Sequence, residues 1–290
     1  MTAIAAIALA ALSAAAPTPN AAVWEELYRA AERSSLFNTV YATDKDTWVA
    51  GGPGVIVIQS DGVAQRHKID RTVRYITGTR FGVYAVGSRG VVWSIRGGTI
   101  REEHHLPGPR TIRDPMTLAS LEPGSLGGRE GVFAFGTALM LFGTGDGNWS
   151  PVPDTQAHPL RKTLLFDKGS EIKGCGPTTW IPLRDGSDAG FLACDDRRTF
   201  IGGASLQSHP RLPRDCPSPY SAARAAADRI AVACESRKPW LLVETGDGWT
   251  KKSAPVDVIQ IHSTGSCLFA ATARSVWRTC DLTALTPSSR

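Results

Sequence analysis

The chain reads as an all-β protein built from one repeated unit of short strands, and three observations carry that reading. From Phe37 onward, apolar runs of four to six residues, rich in β-branched and aromatic types, are broken by Gly, Asp and Pro. Runs of that length and composition are strands rather than helices. A common pattern then recurs along the chain: an apolar strand ending in Gly or Cys, a tight turn, and a second apolar strand. Finally, runs such as Val55-Ile56-Val57-Ile58 are continuously apolar and do not alternate, so both faces of each small sheet are expected to be covered by neighbours.

The first unit opens with Phe37–Ala42 and turns at Asp44-Lys45-Asp46. It continues through Trp48-Val49-Ala50-Gly51, a Gly-Pro-Gly turn at 52–54, and Val55–Ile58. It ends at Asp61-Gly62, a hairpin dipeptide in which both residues tolerate positive φ. Tyr84 through Trp93 repeats Trp48 through Val57 almost position for position. Later copies are Phe133-Ala134-Phe135-Gly136, Phe191-Leu192-Ala193-Cys194, Ala231-Val232-Ala233-Cys234 and Leu268-Phe269-Ala270-Ala271. The equivalent positions are 51, 87, 136, 194, 234 and 271, at spacings of 36, 49, 58, 40 and 37 residues. Four-stranded units at about 40 to 50 residues are the signature of β-propeller blades. The expectation is a single β-propeller of six four-stranded blades. The long interval before Cys194 holds an excess segment, Leu160 to Gly174, which is either an inter-blade loop or part of a degenerate seventh blade, so seven is the alternative.

The last copy runs out after its third strand, near Cys280 to Leu285, while Trp24-Glu25-Glu26-Leu27-Tyr28 stands before the first. Trp149 and Trp249, each after a Gly-Asp-Gly turn, start outer strands of the same look. The N-terminal segment is therefore expected to supply the missing outer strand of the last blade and remove the open seam. A helix competes there, because Val23, Leu27 and Ala31 lie at helical spacing. Ser221–Asp228 poses the same conflict: it is Ala-rich, yet falls where a first strand belongs, and the repeat register assigns it to a strand.

Residues 1–22 carry no charged side chain, and the apolar block Ile4–Leu12 leads into small residues. That is the pattern of a secretory signal peptide, although no Lys or Arg precedes the block. The expected division is a signal peptide over 1–22, a propeller over 23–285 and a disordered tail over 286–290. The expected location is periplasmic or extracellular. No apolar run approaches the roughly 18 residues of a spanning helix.

Six cysteines in an exported chain favour disulfides, and all lie between Cys175 and Cys280. Within a blade, the start of the first strand lies opposite the end of the second. That relation pairs Cys175 with Cys194 and Cys216 with Cys234. Cys267 starts a second strand and Cys280 follows a third, which pairs them in turn. No C-x2-C spacing suggests zinc.

No catalytic motif of the hydrolase, metalloprotease or nucleotide-binding kinds occurs, so no catalytic residue, metal site or cofactor is assigned. His104-His105 are neighbours on a strand and point to opposite faces, which suits a surface pair. Arginine outnumbers lysine, 24 to 8, within a net charge of +5. That balance is mild, and no basic run indicates nucleic acid. Arg71, Arg74 and Tyr75 fall at the start of one first strand, and Arg110 and Arg113 near the start of the next. With His262, these are the candidate ligand-binding residues of a channel rim, since guanidinium groups take carboxylates and phosphates bidentately.

The copies Val40–Asp61 (VYATDKDTWVAGGPGVIVIQSD) and Val83–Trp93 (VYAVGSRGVVW) resemble the BNR-like propeller repeats of Ycf48-like photosystem II assembly factors and related exported bacterial proteins. The resemblance spans about 37 to 280, with Cys replacing glycine in the fourth and fifth copies. It implies an assembly or binding scaffold whose partner is a protein or peptide. Two other functions stay open: a sialidase-like propeller that binds or hydrolyses glycans, and a metal-dependent lactonase-like hydrolase. The first requires channel-facing arginines clustered with a tyrosine and carboxylates; the second requires carboxylates and asparagines around an axial ion.

Overall fold

The computed structural model describes residues 24–280, apart from 32–35, 44, 53, 60–63, 68, 70, 80, 97–98, 107–117, 137–138, 154–171, 173–174, 176–177, 184–188, 203–205, 226–228, 236–239, 247 and 265–266. After β1 (Glu25–Arg29), the chain lays down antiparallel sheets in strict sequence order. The first blade is β2 (Leu36–Ala42), β3 (Asp46–Gly52), β4 (Gly54–Gln59) and β5 (Ala64–His67). The second is β6 (Val73–Thr79), β7 (Gly82–Gly87), β8 (Val92–Arg96) and β9 (Thr99–His104). The third is β10 (Leu118–Leu126), β11 (Arg129–Gly136), β12 (Met140–Gly143) and β13 (Trp149–Pro151). The fourth is β14 (Thr178–Pro182), β15 (Gly190–Cys194), β16 (Thr199–Gly202) and β17 (Leu206–His209). The fifth is β18 (Pro219–Arg224), β19 (Ile230–Cys234), β20 (Trp240–Thr245) and β21 (Gly248–Ser253). The three strands that remain, β22 (Val258–Thr264), β23 (Cys267–Thr272) and β24 (Ser275–Thr279), form a terminal sheet with β1 in the order β1-β24-β23-β22.

This arrangement is a β-propeller, and it corrects the blade count. The repeat suggested six blades, with seven as the alternative. Among the described residues, five blades are built of four consecutive strands each. The sixth repeat stops after three strands, so it is not a blade in its own right; it becomes four-stranded only by taking β1 from the other end of the chain. Counting repeats overstated the blades because an unpaired β24 edge has to be covered from elsewhere. The Leu160 to Gly174 segment, Ile172 excepted, lies outside the described residues. So do Met1–Ala22 and the 286–290 tail.

The register also explains which local signals win. Glu25 pairs with Arg278 and Glu26 with Trp277, so the N-terminal segment is a strand despite its helical spacing. Ser221, Ala222 and Ala223 pair with Ala233, Val232 and Ala231, so the Ala-rich stretch is strand as well. Alanine fits there because Ala222 and Ala223 are fully covered between neighbouring sheets. In the last repeat, Val258 pairs with Thr272, so the residue equivalent to Gly51, Gly87 and Gly136 is Thr272, one place beyond Ala271. Gly87 itself is required by close approach: a Cβ there would overlap the Thr72 carbonyl oxygen.

The first strands pack against one another in the order β14, β18, β22, β2, β6, β10. Each turns an open hydrogen-bonding edge toward the axis. Side chains of adjacent sheets close part of that edge. The Val40 N–H donates to Gln260 Oε1 at 2.7 Å, the Ile76 N–H to Thr39 Oγ1 at 3.2 Å, and the Ile261 N–H to Ser221 Oγ at 3.0 Å. The same offset recurs at all three junctions, which makes this a belt around the inner strands. Gln260→Ala would leave the buried Val40 N–H without its acceptor and is expected to cost about 1–3 kcal/mol. A urea unfolding midpoint equal to that of the parent would show that the belt does not hold the sheets together.

The three disulfides are Cys175–Cys194, Cys216–Cys234 and Cys267–Cys280, with Cα atoms 5.0, 5.3 and 4.1 Å apart. The first two join the start of a first strand to the end of the second strand. The third ties the start of β23 to the residue after β24.

Candidate binding rim

The starts of the first strands share one end of the fold, and there the backbone departs from regular pairing. In β2, β6, β10, β18 and β22 one extra residue is inserted opposite the last pair of the second strand. The inserted residues are Asn38, Arg74, Ala119, Tyr220 and Ile259. A bulge re-aims its side chain and interrupts pairing, and such bulges gather at barrel rims and near functional sites. No compositional signal marks them, because a bulge is a difference in register between two strands. Only the pairing of Val73 with Gly87 and Tyr75 with Val86 exposes Arg74 as the extra residue.

The sequence candidates separate on this rim. Arg74 is exposed. Tyr75, the next residue, is turned inward and only 7% exposed, packed with Tyr84, Val86 and Leu121. Arg71 is largely covered, with its guanidinium 3.8 Å from Glu102. Arg110 and Arg113 lie outside the described residues. His262 is not brought to Arg71 and Arg74. It is 2% exposed within β22, past the belt, where Nε2 donates to the Ala42 carbonyl at 3.0 Å and its ring lies 4.8 Å from that of Tyr41. Tyr41 in turn reaches over Gly78, where a Cβ would overlap its hydroxyl. These contacts link neighbouring sheets.

Two arginines that the sequence reading passed over explain part of the arginine excess. Arg89 and Arg197 occupy the turn after the second strand of their blades with φ of 64° and 69°. Arg89 Nη2 donates to the Leu106 carbonyl at 3.0 Å, and the Leu106 N–H donates back to the Arg89 carbonyl at 3.0 Å. Arg197 and Leu212 repeat this exchange, at 3.4 Å and 2.9 Å. Each pair clasps the loop that leads to the next blade onto the turn. Their recurrence after Gly87 and Cys194 is the signal that could have revealed them.

Among the described residues, the exposed large apolar side chains are Tyr220, 40% exposed, and Val256, 64% exposed. Tyr220 is joined to the segment that carries Val256, since Val256 stands two residues before Val258. The Tyr220 hydroxyl donates to the Val258 carbonyl, which lays the ring from β18 across to β22. Asp257, between Val256 and Val258, has φ of 55°, a left-handed conformation that Asp adopts more readily than most residues. Burial first, then the nearby carboxylates of Asp257 and Glu235, push the Tyr220 phenol above its usual range. Glu235 is held close by its own N–H, which donates to the Ser218 carbonyl at 3.0 Å. The rim thus carries an apolar, acid-flanked sector on β18 and β22 and a basic sector on β6.

No group of three or more His, Cys, Asp or Glu side chains converges on a metal-sized site among the described residues. No helix of the described residues is long and apolar enough to cross a membrane. The three disulfides are consistent with an exported protein.

Comparison with known proteins supports the class of fold. No protein-family model matches the chain, and no curated protein matches it in sequence. Solved β-propeller structures do match. The WD40 β-propeller domain of Doa1 aligns with a TM-score of 0.54 at 7% identity, covering 88% of this chain and 96% of that one. Regucalcin, a calcium-binding protein from Agrobacterium tumefaciens, aligns with a TM-score of 0.53 at 9% identity, covering 89% and 93%. Virginiamycin B lyase from Staphylococcus aureus aligns with a TM-score of 0.46 at 15% identity, covering 87% and 82%. At such identities the likeness concerns the fold alone.

Proposed function

We propose that this chain is an exported β-propeller that acts as a binding or assembly scaffold, holding a protein or peptide partner on the rim where the first strands begin. The observation that carries the reading is the exposed Tyr220 ring on a bulge of the rim, bonded to Val258 two residues beyond the exposed Val256. Contiguous exposed apolar surface rimmed by polar groups marks interaction surfaces, and these are the large apolar side chains that the described residues leave exposed. The resemblance of the first two repeats to exported assembly factors of the Ycf48-like kind agrees with a scaffold role, as does the leader-like segment over 1–22. Residues 23–285 form the functional unit on this reading.

A photo-crosslinking residue at position 220 tests it directly. Incubated with a periplasmic extract, the labelled chain is expected to yield one discrete adduct that Val256→Asp abolishes. The same label at Arg129, beside the hairpin at the opposite end of the strands, is expected to yield none. Equal labelling from the two positions, or none from either, would overturn the rim as the binding face.

A glycan ligand is the second reading, favoured by Arg71 and Arg74 on one strand start. The buried Tyr75 is lost to it as a sugar-stacking group. Selective retention of an acidic glycan that Arg74→Ala abolishes would favour it over the scaffold. The lactonase-like reading is carried by nothing among the described residues.

A further inference from the structure

We propose that the sector formed by Tyr220, Val256, Asp257 and Glu235 takes a partner segment that presents a cationic side chain beside an aliphatic one. This rests on the rim being the partner-binding face and specifies the chemistry of the partner.

Tyr220 is anchored by its hydroxyl on the Val258 carbonyl, so its ring is already ordered and part of it is open to solvent. An ordered aromatic face attracts an ammonium or guanidinium group. Asp257 and Glu235 are both exposed on segments that adjoin Tyr220: Asp257 precedes Val258, whose carbonyl holds the Tyr220 hydroxyl, and the Glu235 N–H donates to Ser218, two residues before Tyr220. Val256, on the other side of Asp257, offers apolar surface to an aliphatic neighbour of that cation. Charge complementarity gives the direction. The chain as a whole carries +5 and on that account draws acidic partners. Preference for a cation therefore has to come from a local sector that opposes the global field, and this sector is acidic.

The test uses the full chain and two fluorescent nine-residue probe peptides, one of alternating Arg and Leu and one of alternating Glu and Leu. Anisotropy titration is expected to show the Arg–Leu probe binding roughly tenfold more tightly, despite the basic protein. Tyr220→Leu and the double variant Asp257→Asn with Glu235→Gln are each expected to remove most of that preference. Tyr220→Phe, which keeps the ring and loses its hydroxyl anchor, is expected to retain part of it. Tighter binding of the Glu–Leu probe, or a preference untouched by these variants, would overturn the proposal. The crosslink from position 220 separates the two levels. An adduct that survives the double carboxylate variant keeps the rim as a binding face and overturns only the cationic chemistry.

Discussion

Replacing Cys216 and Cys234 together by alanine is expected to lower the stability of the chain by about 3 kcal/mol, the entropy of closing a loop of this length in the unfolded state. The two residues are separated by 18 positions, and Cys216 is fully buried in the core shared by the fourth and fifth blades. The loss corresponds to a fall in melting temperature of roughly 6–12 °C. Cys175–Cys194 spans 19 positions and is expected to behave alike, whereas Cys267–Cys280 closes a loop of only 13 and has a smaller entropic share. The third bond nonetheless holds the end of β24 beside the seam where β1 is added. Thermal unfolding of the three paired variants, with non-reducing peptide mapping of the parent, checks the set. Unchanged melting, or a mapped bond between different sheets, would refute it.

Trp149→Ala is expected to cost about 3–5 kcal/mol, the usual range for deleting a large buried aromatic. Trp149 stands on the outer strand of the third blade and packs edge-on against Tyr84 of the second, with ring centroids 5.6 Å apart. Its indole N–H donates to Glu103 Oε2 at 2.9 Å, again in the second blade. Trp249 repeats the arrangement one sheet pair later, with Phe191 at 6.1 Å and the Pro210 carbonyl at 2.7 Å. Trp24 donates to the Ser253 carbonyl at 2.9 Å and packs with the cluster that contains Ala231. These tryptophans staple the perimeter as the belt ties the axis. Trp149→Phe keeps the ring and loses the hydrogen bond, so it is expected to cost only about 1–2 kcal/mol. Urea titrations of both variants give the answer; equal loss in both, or none in either, would remove the staple.

The equivalence of Trp24, Trp149 and Trp249 was legible in the sequence, because each starts a polar strand at the same place in the repeat. The cysteine pairs were legible for the same reason: antiparallel register sets which strand ends face each other, as Thr178 opposite Cys194 and Pro219 opposite Cys234 show. Helix propensity was overridden at Glu25–Arg29 and within Pro219–Arg224, where the chain pairs as strand. The candidate site was far less legible. Arg74 and Tyr75 are neighbours in sequence, yet Arg74 is solvated as the extra residue of a bulge and Tyr75 is buried in the regular pairing that follows. His262 looked available for a ligand and is instead bonded to the neighbouring sheet. Tyr220 and Val256 drew no notice, since 35 residues of chain lie between them.

An all-β repeat, its strand order, the joining of the chain's two ends and the pairing of its cysteines were determined by the sequence alone. All of these are carried by local pattern and by a register that repeats. The count of five complete blades, the belt and clasps between sheets, and the make-up of the rim were decided only by the tertiary structure. They depend on which way each first strand turns its side chains once a neighbouring sheet is packed against it. A one-residue bulge reverses that choice without altering the hydrophobic pattern.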